Sequence, residues 1–140
     1  MEKGVAMDNI QIKTISPLVL AYMGDAVYES YVREHLVYKN PHMKVNDLHK
    51  TTIKYVRAKS QANIANELIK DLTEEEMNIF KRGRNQKSNT VPKNADILDY
   101  RHATGFEAVL GYLHLINDND RLNHIINKSI QIVENDIESI

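Results

Sequence analysis

Cysteine is absent from these 140 residues, which excludes disulfides and thiolate zinc sites and is compatible with a reducing compartment. Tryptophan is absent and phenylalanine occurs only twice, a poor supply for the aromatic platforms on which single-stranded nucleic acid stacks. The longest apolar run, Pro17 to Met23, is far too short to span a bilayer. The first residues, Met1 to Asp8, lack the basic-then-apolar order of a signal peptide. A cytoplasmic protein without a membrane partner is the expectation. No stretch alternates β-branched and polar residues long enough to read as a strand. None of the six histidines forms a His-x-x-x-His pair or stands at zinc-ligand spacing. Repeats, low-complexity segments and a dividing linker are also missing, so residues 1–140 read most simply as one domain.

What remains is helical. Ser16 before Pro17 reads as an N-cap with proline at the first helical position, opening a helix to about Val37 ahead of Asn40-Pro41. A stretch from about Lys44 to Val56 carries Val45, Leu48, Thr52 and Val56 at helical spacing. A further one from about Ala58 to Ile69 turns Ala62, Ala65, Leu68 and Ile69 inward. Thr73-Glu-Glu-Glu76 has the form of a capping box, and its helix should fade near Gly83. Another helix should begin near Asn94 or Ala95 and reach about Ile116. Asn117-Asp-Asn-Asp120 breaks it, and a last amphipathic helix buries Leu122, Ile125, Ile126, Ile130 and Val133. The fold class is all-α, with about seven helices.

The formal net charge is only -1, but it is unevenly spread. Between Lys39 and Lys93 stand twelve Lys/Arg against six Asp/Glu, and Met77 to Ala95 contains no acid. A basic face of this kind suits a phosphate partner. Lys81, Arg82, Arg84, Lys87 and Lys93 surround a loop that also holds Asn85, Gln86, Ser88 and Asn89, the mixture that commonly contacts phosphates. Lys50, Lys54 and Arg57 share a helix face in a second basic set. Such donors match double-stranded RNA, which is recognised through its shape, phosphates and 2′-hydroxyls.

Two acids break the apolar runs. Asp25 stands in Pro17 to Tyr28, and Glu107 is the only charged residue between Ala103 and Ile116 once His114 is counted neutral. Gly24 and Ala26 flank the first; Gly105, Ala108 and Gly111 frame the second. Small residues let two helices cross closely and bring the carboxylates together. Like charges then repel, and a divalent cation between them removes the penalty. Magnesium suits oxygen donors and keeps several waters, as phosphodiester hydrolysis requires. Each acid could instead be structural, in a helix-to-helix hydrogen bond or an ion pair with Arg33, Arg101 or a histidine.

The ordered motifs resemble a known family. Leu20-Ala-Tyr-Met-Gly-Asp25-Ala-Val-Tyr28 is similar to the signature helix of the ribonuclease III catalytic domain, whose core reads Leu-Gly-Asp-Ala-Val. Phe106-Glu107-Ala-Val-Leu-Gly-Tyr-Leu resembles its second acidic motif. Leu48-His-Lys50, Tyr55-Val-Arg-Ala-Lys-Ser-Gln61, Phe80-Lys-Arg-Gly-Arg-Asn-Gln-Lys-Ser88 and Thr90-Val-Pro-Lys-Asn94 resemble the short Mini-ribonuclease III branch, which lacks a double-stranded RNA-binding domain.

The resemblance implies a ribonuclease III endonuclease domain-like helical bundle that works as a homodimer. It implies magnesium-dependent cleavage of double-stranded RNA, leaving 5′-phosphate and 3′-hydroxyl ends. The substrate would be a 23S rRNA precursor, with a ribosomal protein as helper. Asp25 and Glu107 match the catalytic, metal-binding acids. Two other family acids are replaced here by Ala21 and Thr104, and the Thr104 hydroxyl is the candidate to hold a metal-bound water. Glu29, one turn beyond Asp25, reads as a solvated surface acid. Arg82, Arg84, Lys87, Lys93, Lys50, Lys54 and Arg57 would contact RNA. The missing acids leave a rival open, a non-catalytic helical dimer that binds structured or ribosomal RNA.

Overall fold

The computed structural model of the chain describes residues 7–86, 93 and 96–138. Among the described residues seven α-helices follow in order: α1 (Asn9–Lys13), α2 (Pro17–Lys39), α3 (Val45–Val56), α4 (Ala58–Leu68), α5 (Glu74–Arg84), α6 (Ile97–Leu115) and α7 (Asn119–Glu138). A 3-10 turn, Ile69–Asp71, extends α4. No strand occurs among the described residues, and none of their helices is long and apolar enough to cross a membrane.

The helix ends follow local chemistry. Ser16 Oγ accepts the Leu18 N–H at 3.2 Å, and Pro17 needs no partner for a donor it lacks. Thr73 and Glu76 form the reciprocal capping box, with bonds of 3.0 and 3.1 Å. α6 starts at Ile97, later than Asn94 or Ala95, because the Asp96 carboxylate caps the Asp99 N–H at 3.0 Å. Asn94 and Ala95 themselves, like Lys87, lie outside the described residues. Asn117 ends α6 at a φ of 63°, a left-handed conformation that asparagine tolerates better than most residues. The Asp118 N–H then bonds to Leu113 C=O at 3.0 Å and the Asn117 N–H to His114 C=O at 3.1 Å, a Schellman closure.

α6 is the axis of the molecule. Its segment from Ala103 to Leu113 is buried except for half-buried Glu107, and α2, α4 and α5 pack around it. A helix apolar on every side belongs inside. α7 closes one flank with the expected stripe, Leu122, Ile125, Ile126, Ile130 and Val133, all buried. Ala62, Ala65 and Leu68 are buried on α4, and Ile69 is half-buried. On α3 the inward residues are Thr52 and Tyr55, whereas Val45 is exposed because the first turn of α3 projects beyond the core. His114 also differs from the packing role that an apolar helix implies: it is exposed, near the outer end of α6.

Polar contacts tie the helices around this axis to one another. Glu76 is 3% exposed, and Arg121 of α7 grips both its carboxylate oxygens at 2.9 Å. Tyr55, His35 and Lys39 all reach Glu134 Oε2 at 3.0 Å, joining α2, α3 and α7. Asp71 pairs with Lys128.

Candidate active site

The crossing of α2 and α6 is a backbone contact. A Cβ added to Gly24 would fall 1.7 Å from the Glu107 carbonyl oxygen, and one added to Gly111 would fall 1.9 Å from that of Leu20. No other residue type fits either position without moving a helix. Asp25 follows Gly24, so it is carried to the side of the crossing where Glu107 stands. Gly105 serves a different neighbour than expected: a Cβ there would meet Phe80 of α5 at 2.8 Å.

Both acids line a cleft of about 430 Å³ with Leu18, Ala21, Tyr22, Val56, Ala58, Gln61, Tyr100, Ala103 and Thr104. The acids are not equally enclosed. Asp25 is exposed at the mouth, contrary to the buried setting its apolar neighbours imply, because Leu18, Tyr22 and Ala26 are exposed as well. Glu107 is half-buried. Burial first, then the hydrogen bond and charge of Asp25, push its carboxyl up to about 9, while the Gln61 amide acts in the opposite sense.

Of the structural alternatives, Glu107 does accept a helix-to-helix hydrogen bond, from Gln61 of α4 at 3.4 Å, but the ion-pair form finds no partner. Among the described residues neither forms an ion pair, and Arg33 is engaged by Glu29 at 2.9 Å on the surface. Glu29 stays outside the cleft. The Thr104 hydroxyl donates to Tyr100 C=O at 3.0 Å, leaving its oxygen able to accept. No group of three or more His, Cys, Asp or Glu suited to a metal occurs among the described residues. The donors that face the cleft are therefore two carboxylates and neutral oxygens. Such hard donors fit magnesium, and an uncompensated carboxyl pair is an electrostatic setting that a cation relieves.

Gln61 is the site residue that charge and motif reasoning did not single out, although it closes the Tyr55 to Gln61 motif. It is 2% exposed, donates to Val56 C=O at 2.7 Å, and reaches Glu107 Oε2 at 3.4 Å.

The basic residues are placed less uniformly. Lys50, Lys54, Arg57, Arg82 and Lys93 are exposed. Arg57 is the junction between α3 and α4, flanked by the cleft residues Val56 and Ala58, and its Nε donates to Ser60 Oγ at 3.1 Å. Arg82 lines a separate cleft with Ile12, Lys13, Glu74 and Glu75. Arg84 is half-buried, with its guanidinium 5.8 Å from the Phe80 ring centroid.

Residues 18–118 match the family model described as the Ribonuclease III domain. The chain belongs to the ribonuclease III family. It is 53% identical over 123 residues to a protein of Clostridium tetani named Mini-ribonuclease 3, covering 88% of this chain and 82% of that one. A Staphylococcus aureus protein of the same name is 49% identical over 132 residues, covering 91% and 98%. A crystal structure of a Fusobacterium nucleatum protein superposes with a TM-score of 0.77 at 34% identity, covering 86% of this chain and 96% of that one. Family membership makes the chain a ribonuclease of the short Mini branch, and its all-α fold agrees.

Proposed function

We propose that this protein is a magnesium-dependent endoribonuclease that hydrolyses double-stranded RNA, with Asp25 and Glu107 as the acids that hold the cation. The observation that carries this reading is the convergence of the two acids in one open cleft where, among the described residues, neither is paired with a cation. When bound, the metal supplies a Lewis acid and lowers the pKa of water toward neutrality. Asp25, at the cleft mouth, is accessible to a polynucleotide, and Glu107 fixes the inner side of the site. The Thr104 hydroxyl adds a neutral acceptor for water. Cleavage at the 3′-oxygen side of phosphorus leaves 5′-phosphate and 3′-hydroxyl ends.

Arg82, Arg84, Lys93, Lys50, Lys54 and Arg57, with Lys87 from outside the described residues, would contact phosphates. Arg57 is best supported because it borders the cleft. A homodimer is favoured by exposed apolar side chains beside the site: Leu18, Val19 and Tyr22 on α2, the last 80% exposed, and Ile97 and Leu98 on α6. The Mini branch supports a 23S rRNA precursor as the substrate, a cytoplasmic setting and a ribosomal protein on the substrate.

The deciding experiment incubates the protein with duplex and single-stranded RNA, with magnesium and with a chelator. Magnesium-dependent cutting of the duplex alone is expected. Tight duplex binding without cutting would instead support a non-catalytic RNA-binding dimer, the reading favoured by Ala21 and Thr104 standing where the family has acids. The basic residues give a separate expectation. Replacing Lys54 and Arg57 by glutamine should weaken duplex binding for all sequences and flatten its salt slope by roughly one unit per lost phosphate contact. An unchanged slope in a filter-binding series would remove them from the interface.

A further inference from the structure

A cation between Asp25 and Glu107 would meet two carboxylates, and Gln61, which lines the same cleft, carries a buried oxygen with nothing to bond. Gln61 Nε2 lies 2.7 Å from the Val56 carbonyl oxygen. Only the nitrogen can stand there, since an amide oxygen would set two acceptors face to face. The orientation of the amide is thereby determined, and Oε1 is left as the one buried side-chain N or O atom without a hydrogen-bond partner among the described residues. Leaving such an atom unpaired is costly, and native structures usually place a water or an ion beside it.

The amide is held from behind. Val56 ends α3, and its neighbour Tyr55 is anchored twice: its hydroxyl donates to Glu134 at 3.0 Å, and its carbonyl accepts the Tyr28 hydroxyl at 3.4 Å. The α3–α4 corner therefore presents Gln61 to the cleft as a fixed group, with Nε2 shared between Val56 and Glu107. A side chain needed only for packing would not require an unpaired oxygen there.

We propose that Gln61 is a metal-site residue, its Oε1 serving as a third, uncharged oxygen donor to the divalent cation held by Asp25 and Glu107. This rests on the cation site proposed above. A neutral donor supplements the two acids where Ala21 and Thr104 supply no charge, and the site then balances a divalent cation with two negative charges.

The test needs no RNA. Mn2+ alone is titrated by calorimetry into the wild-type protein and into Asp25→Asn and Gln61→Met variants, each checked for folding by thermal melting. Gln61→Met should bind Mn2+ about tenfold or more weakly than wild type. Equal affinity in Gln61→Met and wild type overturns the assignment of Gln61 and leaves the two acids in place. No binding to wild type, or binding unaltered by Asp25→Asn, overturns both. Should Gln61→Met fail to fold, the wild type decides. The 13Cδ signal of Gln61 should move and saturate as Mg2+ is added, and a stationary signal overturns the proposal.

Discussion

Asp25→Asn is expected to lower duplex-RNA cleavage about a thousandfold, equivalent to about 4 kcal/mol of activation free energy. Binding of the duplex and the melting temperature should be retained. Asp25 is exposed and makes no ion pair among the described residues, so the fold loses little with its charge. Indeed, Asp25 raises the proton affinity of Glu107 through its hydrogen bond and its charge. Removing that charge relieves repulsion in the metal-free protein and should bring the Glu107 carboxyl back down toward its ordinary range, with burial still holding it above. Single-turnover cleavage, a filter-binding isotherm and a thermal melt test the three parts together. Wild-type turnover in the variant would end the assignment of Asp25, while loss of both cleavage and melting cooperativity would make it a structural residue.

Arg121→Met should destabilise the protein by about 3–5 kcal/mol, because it leaves the buried carboxylate of Glu76 without its cation. For a chain of this size that is a fall of roughly 10–17 °C in melting temperature. Burial pushes the Glu76 carboxyl up, but hydrogen bonds from Arg121 and Thr73 outweigh it and hold the group below its ordinary value of 4.5. A carboxyl lowered on folding contributes stability above that ordinary value and loses it as pH falls through the folded value. The gap between wild type and Arg121→Met should therefore be widest near neutral pH and narrow in acid. Melting curves from pH 3 to 8 give the comparison. A variant that melts with the wild type at pH 7 would show that the pair adds no net stability. Replacing Glu76 by methionine as well should recover part of the loss, since an apolar pair of similar size often matches a buried ion pair.

Helix ends were legible wherever a side chain caps them, as at Ser16-Pro17 and Thr73 to Glu76, since the same few atoms decide both pattern and structure. The stripe of α7 was equally plain, because a helix with one wet face shows its period. The meeting of Asp25 and Glu107 could be anticipated from Gly24 and Gly111, whose missing side chains permit the crossing. Helices apolar on all sides carry less direction. Nothing in the spacing of α6 says that Gly105 faces α5 while Gly111 faces α2, and nothing in α2 says that Leu18 and Tyr22 remain exposed beside Asp25. Gln61 escaped notice for a different reason. An uncharged amide stands out only when its surroundings show that one of its atoms is unpaired.

Where Gly24 lies against the main chain of α6, the approach of the two backbones that carry the acids is set by peptide groups. Core substitutions elsewhere can loosen the bundle and lower its melting point without changing the spacing offered to a cation. Stability and the approach of the two acid-bearing helices should thus vary independently across most of the chain, and become inseparable at the two glycines.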